Sequence, residues 1–110
     1  MKKLIITLSF TIAFFVLWHS AIASATELSN GAKIFNANCS ACHVGGKNVI
    51  INSKTLKKDA LERYGMYSLD AIKLQVTNGK NSMPAFKSRL NSAQIEDVAA
   101  FVLNQANKGW

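Results

Sequence analysis

Cys39-Ser40-Ala41-Cys42-His43 constrains this chain more than any other stretch. Two cysteines and a histidine at this spacing read as an attachment site for c-type haem. The two thiols add to the vinyl groups of the porphyrin as thioethers, and the imidazole binds the iron from one side. In a helix, which turns about 100° per residue, Cys39, Cys42 and His43 project toward one direction. Other uses of the pair fit less well. A structural zinc site takes four ligands, and beyond residue 25 His43 is the only histidine. A thioredoxin-like dithiol sits in a βαβ context, and no strand pattern flanks this one. A disulfide between Cys39 and Cys42 closes too short a loop to remove much chain entropy. A buried structural pair leaves His43 unexplained.

The chain opens on a different pattern. Lys2 and Lys3 precede a mostly apolar run from Leu4 to Trp18, and Ala23-Ser24-Ala25 has the A-x-A form of a signal-peptide cleavage site. The apolar run is shorter than the ~20 residues a membrane-spanning helix needs, so residues 1–25 read as a cleaved signal peptide. Residues 26–110 then form one small domain, with no stable membrane insertion after cleavage. A domain this short buries a modest core and needs a staple, which a covalently held porphyrin provides. Without Lys2 and Lys3 the chain keeps 11 Lys and Arg against 6 Asp and Glu. That excess suits acidic protein partners or an anionic surface. The basic residues are scattered and not interleaved with aromatics, which argues against nucleic acid.

No sustained alternation of period two runs through residues 26–110, so the fold class is all-α. A first helix is expected from about Asn30, as N-cap, to His43, with Ile34 and Phe35 on its apolar face and Val44-Gly45-Gly46 at its end. Residues 45–55 read as a loop, in which Val49, Ile50 and Ile51 either lean on a haem or pack as ordinary loop residues. A short helix is expected over Leu56 to Tyr64, closed by Gly65. Another is capped by Ser68, carries Leu69, Ile72 and Val76 inward and stops at Asn78-Gly79. A second loop, residues 79–90, holds Met83-Pro84. The last helix starts at Asn91 or Ser92, and its Ile95, Val98, Ala99 and Val102 follow the i, i+3, i+4, i+7 rule.

A haem held by His43 needs a sixth ligand. Met83 lies in a loop 40 residues after His43, and Pro84 restricts its backbone to extended conformations. Met66 sits between two short helices and reads as core filler. A His/Met pair favours ferrous iron and raises the reduction potential. It also leaves no open position for oxygen or peroxide, so the chain reads as an electron carrier and not an enzyme.

These motifs resemble the class I cytochromes c, and specifically the cytochrome c6 family. The likeness runs through Leu28 to Phe35, Cys39 to Gly46, Lys54-Thr55-Leu56, Gln75 to Gly79, Met83-Pro84-Ala85-Phe86, Arg89-Leu90 and the Val98 to Ala106 helix. A C-terminal Lys108-Gly109-Trp110 completes it. The resemblance implies a class I fold of about four helices around one covalently bound haem c. It implies that Gly31 and Phe35 cross the C-terminal helix near Phe101. It also places Gln75 near the methionine ligand, where it tunes the potential, and gives Arg89 to docking. Asn81-Ser82 departs from the more common Gly-Ala ahead of the methionine. The function implied is electron transfer from cytochrome f of the cytochrome b6f complex to photosystem I, in the thylakoid lumen of a plastid or a cyanobacterium, by a monomer or weak oligomer. The alternative class is a periplasmic monohaem cytochrome serving a respiratory oxidase or dehydrogenase.

Overall fold

The computed structural model describes residues 25–110, so the basic and apolar stretches read as a signal peptide lie outside the described residues. Helix α1 covers residues 25–38 and is already helical at residue 25. The expected start at Asn30 is therefore corrected: Asn30 lies inside the helix, exposed. The expected run through to His43 is also corrected. The helix breaks at Cys39 (φ −118°) and resumes as the single turn α2, Ser40–His43. Side chains on both sides of the break compete for helix carbonyls: Asn38 Nδ2 donates to Ile34 O (3.0 Å) and Ser40 Oγ donates to Asn36 O (2.8 Å).

A 3₁₀ turn, Val44–Gly46, leads out of α2. The loop beyond it is ordered by Asn48, whose Oδ1 accepts from Ile50 N (3.0 Å) and Ile51 N (2.8 Å) while its Nδ2 donates to Lys54 O (2.9 Å). Helix α3 is Lys58–Arg63, two residues shorter at its start than expected. Helix α4 is Leu69–Asn78, and the Ser68 hydroxyl accepts from Ala71 N, which satisfies an otherwise orphaned donor. Helix α5 is Ser92–Lys108. Its N-terminus is a capping box: Asn91 Oδ1 accepts from Gln94 N (2.8 Å) and Asn91 N donates to Gln94 Oε1 (2.9 Å). Among the described residues the only strand-like pairing is an isolated bridge between Lys80 and Met83.

The core forms where these helices turn their apolar faces together. Phe35 of α1, Leu61 of α3, Ile72 and Val76 of α4, and Ile95, Val98, Ala99, Val102 and Ala106 of α5 are buried in one cluster with Phe86 and Leu90. The α1–α5 crossing is close because residue 31 is glycine. A Cβ there would stand 2.2 Å from Asp97 O and 2.7 Å from Phe101 Cβ. One turn on, the Phe35 and Phe101 rings pack at 5.3 Å between centroids, tilted by 49°. No helix of the described residues is long and apolar enough to cross a membrane.

Candidate cofactor-binding cleft

The break at Cys39 and the turn of α2 aim three side chains into one place. Cys39, Cys42 and His43 all line a single cleft of about 330 Å³. The backbone holds the turn tightly, since Cys39 O accepts from both Cys42 N (3.2 Å) and His43 N (2.9 Å). Cys39 packs against the core, and burial, with Cys42 beside it, pushes its thiol up to about 11. Cys42 is exposed, and the two are not joined in a disulfide.

His43 is oriented by the loop that follows it. Its Nδ1 lies 3.0 Å from Lys47 O. A carbonyl oxygen only accepts, so Nδ1 carries the proton and Nε2 keeps its lone pair free for a metal.

Another part of the lining comes from α4 and the loop after it. Lys80 and Met83 exchange backbone hydrogen bonds, Lys80 N to Met83 O (3.0 Å) and Met83 N to Lys80 O (2.9 Å), which close a tight turn over Asn81 and Ser82. Asn81 adopts φ 52°, the left-handed region that asparagine tolerates better than most residues. Gly79 allows the loop to fold back. It sits at φ 67°, and a Cβ there would lie 2.5 Å from Met83 O and 2.7 Å from Ala85 N. Met83 lines the cleft, and Gln75 Nε2 stands 3.7 Å from its Sδ, within reach of an N–H to sulfur contact.

The remaining walls are largely apolar, with Phe35, Leu56, Ile72, Val76 and Phe86 among them. Ile50 and Ile51 also line the cleft, whereas Val49 does not and is exposed. Met66, read from the sequence as core filler, packs against the core cluster and borders the cleft as well. Arg89 reaches the rim, its guanidinium 5.6 Å from the centre of the Phe86 ring. Lys54 and Lys80 line the same cleft.

An imidazole nitrogen and a thioether lining one largely apolar cleft are donors that suit haem iron better than a hard cation, and the two thiols beside them can add to porphyrin vinyl groups. No cluster of three or more His, Cys, Asp or Glu fit to hold a bare metal ion occurs among the described residues. The C-terminal residue also takes part in this region, through contacts that no local sequence pattern reports. The Trp110 indole donates from Nε1 to Leu56 O (2.9 Å) and lies against Phe35 and Phe101.

The chain is similar to known proteins along its whole length. A family model described as cytochrome c oxidase, cbb3-type, subunit III matches residues 26–102. The chain is 56% identical over 110 residues to cytochrome c6 of a Synechococcus species, covering all of this chain and 98% of the relative. It is 54% identical over 110 residues to cytochrome c6 of the alga Pyropia yezoensis, with both chains covered in full. Among solved structures, cytochrome c6 of the diatom Phaeodactylum tricornutum matches at 53% identity and a TM-score of 0.74, over 76% of this chain and 98% of that one.

Proposed function

The chain belongs to the cytochrome c6 family and carries a covalently bound c-type haem, and we propose that it is a soluble one-electron carrier of the thylakoid lumen, running from cytochrome f of the cytochrome b6f complex to photosystem I. The observation that carries this reading is the pair His43 and Met83 lining one cleft. Cys39 and Cys42 would hold the porphyrin through thioethers, and His43 Nε2 and Met83 Sδ would take the two axial positions of the iron. When bound, the haem supplies reversible one-electron exchange between ferrous and ferric iron.

The protein's own groups explain why exchange, and not oxygen chemistry, is the outcome. With His43 Nε2 and Met83 Sδ both given to the iron, small oxidants would find no open coordination site. Lys47 O fixes the His43 tautomer and ring plane. The Gln75 amide donates toward Met83 Sδ, withdrawing electron density from the sulfur and favouring the ferrous state. The walls of the site are largely apolar, and Lys54, Lys80 and Arg89 place positive charge where an acidic partner would approach. The mature domain is residues 26–110. The family match begins at residue 26, and 98% of the diatom protein is matched by 76% of this chain, which supports removal of residues 1–25 during export.

The ligand assignment is tested by spectroscopy on the purified holoprotein. The oxidised protein should show a methionine-to-iron charge-transfer band, and the native reduced protein should not bind carbon monoxide. Met83→Ala should lose the band and gain carbon monoxide binding. Met66→Leu, which keeps core volume, should retain the band. A band that survives Met83→Ala but vanishes in Met66→Leu would assign the sixth ligand to Met66.

A further inference from the structure

Trp110 is the last residue of the chain, yet it is tied to the segment that orients His43. Its indole covers the buried Gly46: a Cβ at that position would lie 2.3 to 2.5 Å from three atoms of the ring. Its Nε1–H donates to Leu56 O (2.9 Å), and Leu56 N in turn donates to Gly46 O (2.8 Å). Leu56 is thus clamped at both backbone groups, once to the indole and once to Gly46. The residue after Gly46 is Lys47, whose carbonyl accepts the His43 Nδ1 proton. On its other side the indole packs against Phe35 and Phe101, with centroids at 5.3 and 6.0 Å, and those rings sit at the α1–α5 crossing.

From these contacts we infer that Trp110 is a positioning residue: it locks the Gly46–Lys47 segment to the α1–α5 crossing and so holds the Lys47 carbonyl against His43 Nδ1. The inference rests on the reading of His43 as an axial ligand. A hydrogen bond at Nδ1 increases the electron donation of the imidazole through Nε2, which favours ferric iron. Loosening the carbonyl should therefore raise the reduction potential, in the opposite sense to loss of the Gln75 contact.

The test uses Trp110→Phe holoprotein, which keeps an aromatic ring but loses the N–H donor, together with a chain ending at Gly109. NMR of the reduced protein reads the exchange rate of the His43 Nδ1 proton, with the Val98 amide as an internal reference for global opening. In Trp110→Phe the His43 proton should exchange several-fold to about tenfold faster relative to Val98, as expected for loss of one neutral hydrogen bond, and the potential should rise. The shortened chain should show the larger effect; if it does not fold, Trp110→Phe decides alone. Parallel acceleration of both protons with an unchanged potential would make Trp110 merely a stabilising contact and overturn the proposal. Haem ring-current shifts on the His43 ring protons separate the two claims. Their absence would overturn the axial role of His43 and the proposal with it, whereas shifted protons with unchanged Nδ1 exchange would overturn the proposal alone.

Discussion

On the proposed reading, the Gln75 side chain would act on the iron without binding it. Its Nε2 lies 3.7 Å from Met83 Sδ, close enough to polarise the thioether. Replacing it with valine keeps a half-buried helix position but removes the donor. Gln75→Val should lower the midpoint potential while the haem stays attached and the charge-transfer band persists. Redox titration of the two proteins checks this, and equal potentials would reduce Gln75 to a helix surface residue. The chemistry of single residues was the most legible part of this chain. Cys39, Cys42 and His43 are adjacent in sequence, so their spacing alone brings them together. The Gln75–Met83 contact spans eight residues and came from family resemblance, not from any local pattern. Trp110 was least legible, because its hydrogen-bond partner Leu56 is 54 residues away and nothing near it in sequence points there.

Elements place these residues, and their ends matter more than their middles. The caps of α4 and α5 were readable because Ser68 and Asn91 use short-range side-chain bonds. The beginning of α1 and its break at Cys39 were not, because both depend on packing and on competing side chains that no periodicity reports. Two substitutions separate stability from ligation. Asn91→Ala removes the capping box of α5 and should cost about 1 kcal/mol, lowering Tm by roughly 4–8 °C for a domain of this size. Asn91 does not line the cleft, so the charge-transfer band should not change. Gly79→Ala is different in kind. It forces a Cβ into the left-handed region and onto the Met83 carbonyl, 2.5 Å away. The loop must move, so Gly79→Ala should weaken the charge-transfer band and admit carbon monoxide as well as lower Tm. Thermal melts and spectra of both variants, read together, distinguish the two effects.

At the scale of the whole molecule, the helices form a frame that brings the α2 turn with His43 and the loop with Met83 to one cleft and leaves basic side chains at its rim. Arg89 is exposed there, beside Phe86, six residues after Met83. Exchange with an acidic partner should therefore depend on ionic strength, since screening grows as the Debye length falls from about 10 Å at 0.1 M salt. Arg89→Glu should slow reduction of the partner far more than it changes the potential, through lost steering and a like-charge clash. The most direct test of the carrier role is laser-flash kinetics of photosystem I re-reduction by the purified, reduced holoprotein across a salt series. The account predicts rapid re-reduction that depends on protein concentration and salt and is markedly slower with Arg89→Glu at low salt. Re-reduction no faster than with a small-molecule donor at the same concentration and potential would contradict it.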